Sequence, residues 1–180
     1  MAVRRVCIRA IGAVSEDDLS AIESGMSRTL GLETERLNPL PDPDYAFDGR
    51  RRQYSSVEVM RAFLSAAPAG ESKVVGITER DLFIPMLTFV FGQAQLGGRL
   101  ALVSLARLRQ EFYGLPADRT VFVGRALKEV SHELGHTFGL AHCPDRTCAM
   151  SVSTGVAEVD AKGPEWCASC AALCRTERAS

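Results

Sequence analysis

The run at residues 132–142, His-Glu-Leu-Gly-His-Thr-Phe-Gly-Leu-Ala-His, constrains this chain more than any other stretch. On a helix, residues four apart stand one turn above each other on the same face, so His132 and His136 can share one metal ion. Glu133 lies about 100° round the helix from His132, near enough to reach a water at that ion without being a ligand. A helix continued to His142 would carry it about 15 Å along the axis from His132, whereas zinc–imidazole bonds are only about 2.0–2.1 Å. The chain must therefore turn back. Gly139 stands where that turn begins, because glycine takes the left-handed conformation without steric penalty. The spacing describes a tripodal zinc site with one position open for water. Coincidence of the five fixed positions on an inert amphipathic helix is expected in roughly one chain in 10⁵. All three histidines of the chain fall inside the run.

Cysteines follow at once: Cys143 directly after His142, then Cys148, Met150 and the pair Cys167 and Cys170. Six cysteines could form three disulfides, but paired short spacings beside a histidine motif favour metal. Cys174, one helical turn past Cys170, is an alternative ligand. Cys7, in an apolar strand-like stretch, reads as a small core residue.

From His132 to Cys170 the chain resembles the archaemetzincin family, a branch of the metzincin zinc peptidases. The family's hallmark is the long histidine motif running into a cysteine, four residues, Cys-x-Met and a distant Cys-x-x-Cys. Earlier the resemblance is diffuse, carried by Gly76, Ile77 and Thr78, by Asp81 and Leu82, and by residues 91–94. It implies a catalytic zinc on His132, His136 and His142, with Glu133 as general base. It also implies Met150 in a methionine turn beneath that zinc, and a second, structural zinc on Cys143, Cys148, Cys167 and Cys170, two ions per chain. The fold implied is mixed α/β: a mostly parallel twisted sheet with an antiparallel edge strand that pairs with peptide, packed helices including the active-site helix, and a small zinc-stapled C-terminal segment. Some metzincins place a tyrosine shortly after the methionine turn as a zinc ligand or oxyanion donor, but here no tyrosine follows Tyr113.

At 180 residues the chain reads as one domain, with residues 1–142 supplying the sheet and active-site helix and residues 143–180 the methionine turn and structural zinc segment. A net charge of −1 with 46% hydrophobic residues excludes disorder and gives no electrostatic argument for nucleic acid or an anionic membrane. No apolar run approaches the roughly 18 residues of a spanning helix, and residues 1–6 lack the apolar stretch of a secretory signal. A cytoplasmic location is the expectation. Nothing in the sequence bears on oligomeric state.

Val3, Val6, Ile8 and Ile11 mark a first strand. Ser15 with Asp18 resembles a helix cap, after which Leu19, Ile22, Met26 and Leu30 repeat at helical spacing until Gly31. Residues 32–37 follow as a strand. Residues 38–52, rich in proline, aspartate and arginine, suggest a surface loop bordering the cleft. Ser55 with Glu58 forms a capping box for a helix reaching about Ala67. Strands are predicted at residues 73–78, 87–91 and 100–105, with a turn at Gly97 and Gly98 and the antiparallel edge strand between Phe83 and Gly92. The active-site helix starts near Asp118, although Thr120 to Val123 alone would read as strand. Its Leu127, Val130, Leu134 and Phe138 face away from His132 and His136, so one side packs on the sheet while the other presents ligands. The tail has little core beyond Trp166 and Leu173, and a four-cysteine zinc would staple it.

These features point to a zinc-dependent peptidase acting on peptide or protein, by aminopeptidase-like or internal cleavage. The alternative is a zinc-binding module that recognises a peptide or partner without hydrolysing it.

Overall fold

Two sheets and five helices make up the computed structural model, which describes residues 4–70 and 72–176. The first third of the chain gives β1 (Arg4–Ala10), α1 (Glu16–Leu30), β2 (Leu32–Arg36), β3 (Phe47–Asp48) and β4 (Gln53–Ser55). Next come α2 (Ser56–Ala66), β5 (Lys73–Thr78), β6 (Leu82–Phe83), β7 (Gly92–Ala94) and β8 (Leu100–Ser104). The long helix α3 (Arg119–Thr137) is followed by α4 (Val156–Ala161) and α5 (Ala168–Thr176). Val3, expected to open the first strand, lies outside the described residues.

The main sheet has the order β2-β1-β5-β8-β7. The first four strands run parallel and β7 pairs antiparallel with β8, Gly92 opposite Val103. Side chains alternate across the pleat. Val6, Ile8, Val75, Ile77, Ala101 and Val103 point to the face covered by α1 and α3. Cys7, Val74, Leu100 and Leu102 point to the face covered by α2, which contributes Val59, Met60 and Phe63. The result is a three-layer α/β/α stack, and its mostly parallel sheet with an antiparallel edge is the mixed α/β fold that the resemblance implies. Cys7 is buried in the α2 layer.

Helix ends follow local chemistry. Ser55 Oγ accepts from Glu58 N, and Asp118 caps α3 by accepting from Val121 N at 3.0 Å, which settles Thr120 to Val123 as helix. Ser15 stands at the start of α1 without a side-chain cap bond. Asp18 is turned instead into an ion network. It is 4% exposed and accepts from Arg109 and Arg119, while Arg109 also holds Glu79 just past β5. That network ties the start of α3 to α1 and the sheet. Burial pushes the Asp18 carboxyl up, but the bonds and charges of Arg109 and Arg119 outweigh it and hold the group below the ordinary carboxylate range.

Two expectations are corrected. Residues 87–91 form no strand of the main sheet; they make one isolated bridge, Leu82 with Val90, and the edge strand begins only at Gly92. Backbone carbonyls explain the diversion, since Arg51 takes those of Pro85 and Leu87 and Gln53 takes that of Thr88. Residues 38–52 do not line the cleft. They form a 3₁₀ turn at Asp44–Ala46 and strand β3, which pairs with β4, and Arg51 holds the Leu87 carbonyl of the segment that does line it.

No described helix is long and apolar enough to cross a membrane.

Candidate metal centre

Helix α3 delivers the first two histidines on its last turns and then stops within two residues. Gly139 has φ +83°, and its N–H closes on the His136 carbonyl at 3.0 Å while Leu140 N reaches Gly135 O at 3.1 Å. This reversal brings His142 back beside the helix. Its ring centroid lies 5.3 Å from that of His132 and 5.0 Å from that of His136. One ring nitrogen from each of the three falls within 4.8 Å of the others.

The tautomers are fixed from behind. His132 Nδ1 donates to Ala149 O at 2.8 Å and His136 Nδ1 to Leu140 O at 2.7 Å, because a carbonyl can only accept. Both Nε2 lone pairs are then free for a cation, and they stand 3.2 Å apart. Two imidazoles on one tetrahedral zinc would stand about 3.3 Å apart, so the donor set fits that ion. Burial, and then the nearby Lys162 charge, push His132 down to about 3; burial also lowers His136. Both rings are neutral at physiological pH, the form that binds metal.

Met150 is fully buried under this site. A methyl group added to Gly135 would come within 2.2 Å of Met150 Sδ, so helix and methionine turn touch where only glycine fits. Trp166 packs on Phe138 and donates Nε1 to Ser131 O, fastening the tail to α3.

Glu133 is 6% exposed and faces the same cleft. It lies under the edge strand, where a Cβ on Gly92 would sit 2.6 Å from Glu133 Cγ. Burial raises its carboxyl well above the usual range, the Glu129 charge adds to this, and Lys162 opposes it. Glu129 and Lys162 form a buried ion pair at 2.9 Å, with Lys162 Nζ also 3.3 Å from Ser151 O. Sequence reasoning missed this pair. Glu129 stands one helical turn before Glu133 and was findable from that spacing, whereas Lys162 carries no local signal.

The second group gathers Cys143, Cys148, Cys167 and Cys170, whose sulfurs lie within 4.8 Å of one another. Cys143 to Cys167 and Cys148 to Cys170 are each 3.9 Å apart. Sulfurs on one tetrahedral zinc would stand about 3.8 Å apart, and disulfide sulfurs about 2.05 Å, so the spacing is that of a metal site. Cys148 Sγ also accepts from Cys167 N at 3.3 Å and Met150 N at 3.4 Å. Cys174 is buried in the adjoining apolar cluster with Leu140 and Met150 and is not among the four.

Between the edge strand and the histidines runs a cleft of about 450 Å³, bounded by residues 87–94, by α3 and by residues 152–154. Its open-faced shape suits an extended chain rather than a small enclosed ligand.

Known proteins place this arrangement. The family model of peptidase family M54 matches residues 68–176. An archaemetzincin from Methanocaldococcus jannaschii is 40% identical over 168 residues, 93% of this chain and 91% of its own length. The crystal structure of an archaemetzincin from Methanopyrus kandleri superposes with a TM-score of 0.84 at 35% identity, covering 99% of this chain and 97% of that one. A zinc-dependent peptidase from Methanocorpusculum labreanum superposes with a TM-score of 0.82 at 29% identity, over 93% and 99% of the two chains. Fold, ligand groups and sequence agree: the chain belongs to the archaemetzincins, peptidase family M54, and is a zinc metallopeptidase.

Proposed function

We propose that the three histidines hold the catalytic zinc and that Glu133 is the general base for hydrolysis of a peptide bond laid along the cleft. The observation that carries this reading is the convergence of three imidazole nitrogens on one point of a cleft that Glu133 also faces. Zinc bound there supplies a Lewis acid and lowers the pKa of water from 15.7 to about 7.

The protein's own groups do the rest. Ala149 and Leu140 carbonyls hold the two helix imidazoles in the ligating tautomer. Glu133, buried beside the three histidines, would be ionised when that pocket is filled and would take a proton from the attacking water. The same carboxyl then gives that proton to the leaving amine nitrogen. The free edge of β7 offers backbone hydrogen bonds that hold the peptide extended. The four cysteines carry a second, structural zinc that fastens residues 143–170 beneath the site, and residues 1–180 act as one catalytic domain.

Replacing Glu133 with glutamine tests the assignment. Zinc content is expected to stay and peptide cleavage to be lost; cleavage at the wild-type rate would refute the role of Glu133, whereas wild type that binds peptide and cuts none would favour a module that only binds it.

A further inference from the structure

A hydrogen-bond donor beside the carbonyl oxygen adds to the stabilisation a metal gives as that oxygen gains negative charge, and among the described residues no tyrosine lines the cleft. Among the described residues no lysine or arginine lines it either. Apart from the histidines, the side chains there with an O–H or N–H to donate are Thr88, Gln93, Ser153 and Thr154. Gln93 turns its amide to the opposite face of the sheet, where its Oε1 accepts from Ser56 at 2.6 Å. Thr88 and Thr154 are exposed, and water satisfies such hydroxyls.

Ser153 is different. Its Oγ is enclosed in the cleft wall and finds no hydrogen-bond partner in the protein. A buried hydroxyl left without a partner costs about 1–3 kcal/mol, so this is a group that gains from meeting an acceptor. Ser153 lines the cleft, and a serine hydroxyl changes direction by rotation between staggered positions about a single bond. The backbone that carries it is fixed. Two residues earlier, Ser151 O accepts from the wholly buried Lys162, which is paired with Glu129 on α3. Ser151 N closes on Cys148 O at 2.9 Å, joining the segment to the four-cysteine turn.

Building on the zinc-peptidase reading above, we infer that Ser153 is a catalytic residue whose hydroxyl donates to the scissile carbonyl oxygen, taking the part that a tyrosine would otherwise play. Glu129 and Lys162 are its positioning residues. No bond to Ser153 is made or broken; its hydrogen bond strengthens as the carbonyl oxygen becomes an anion.

The test is Ser153→Ala, a small change that leaves the wall otherwise intact. A phosphinic peptide mimics the tetrahedral anion, and its affinity is measured by calorimetry on zinc-loaded protein. The substrate peptide itself is titrated into Glu133→Gln and into Glu133→Gln/Ser153→Ala, where it binds without being cut. The expected result is a loss on the order of 10- to 100-fold in phosphinic-peptide affinity and in kcat, with zinc content unchanged and substrate affinity held. Three results overturn the proposal: unchanged kcat and phosphinate affinity, an equal loss for substrate and phosphinate, or loss of zinc from Ser153→Ala. Wild type that holds zinc in the histidine site and cuts no peptide would instead bring down the reading beneath it.

Discussion

His142 and Cys143 share a peptide bond yet belong to different ligand groups, the first to the three imidazoles and the second to the four sulfurs. Their connection is stiff, since Cys143 N donates to Met150 O at 3.0 Å and Met150 packs against Gly135 of the active-site helix. Whatever holds the cysteines therefore also sets where the third imidazole stands.

That geometry couples the two centres. Cys167→Ser/Cys170→Ser is expected to lose the structural zinc and to weaken zinc at the histidines on the order of 10-fold or more, the size usual when a group orienting a ligand is removed. Competition with a chelator of known affinity measures it. Unchanged affinity at the histidines would show that His142 is held independently of the sulfurs.

Gly92 and Glu133 meet with no room between them. Gly92→Ala places a methyl 2.6 Å from Glu133 Cγ and 2.6 Å from the Leu102 carbonyl, so both the cleft wall and the Glu133 side chain must shift. A destabilisation of about 1–3 kcal/mol is expected, as for other overpacked sites, with a clear fall in kcat. Urea denaturation and steady-state cleavage check the two effects, and an alanine variant with normal stability and rate would contradict the contact.

The Glu129–Lys162 pair has no solvent to fall back on, with side chains 3% and 0% exposed. Lys162→Met leaves Glu129 buried without its cation, and a loss of about 3–5 kcal/mol is expected. Adding Glu129→Gln removes the orphaned charge and should recover a large part of that loss. The two urea midpoints decide it: a double variant as unstable as the single would show that Lys162 acts through packing alone.

Acid stability is tied to Asp18. Its carboxyl is held below the usual range in the folded protein, so it contributes stability above its unfolded pKa of about 3.9 that is lost as pH falls through the lower folded value. Asp18→Asn should be less stable than wild type at neutral pH, and the difference should shrink below about pH 4. Melting temperatures across that range are the measurement, and a difference that stayed constant would exclude the linkage.

Much of the site is legible in the sequence because its ligands lie close along the chain. His132 and His136 are suggested by helical spacing and Gly139 by the need to reverse, while short cysteine intervals point to metal and the family resemblance picks out Cys143, Cys148, Cys167 and Cys170. Short β-favouring or continuous apolar runs likewise mark β1, β5 and β8, and 3.6-residue patterns mark α1 and α2. Other features rest on contacts between distant residues. Edge strand β7 is only three residues long, too short for a pattern of its own, and the close approach of Glu133 to Gly92 joins residues 41 apart by number. The small sheet joins β4 to β6 across an intervening helix and strand. Lys162 and Ser153 matter through what they face after the tail folds back, and as isolated residues they carry no signal.

Zinc content per chain, measured by elemental analysis on wild type and His136→Ala, tests the central claim most directly. Two zinc ions in wild type and one in His136→Ala, with peptide cleavage abolished, is the predicted result. Two ions retained in His136→Ala, or no zinc in wild type, would contradict the assignment of the three histidines as the catalytic metal site.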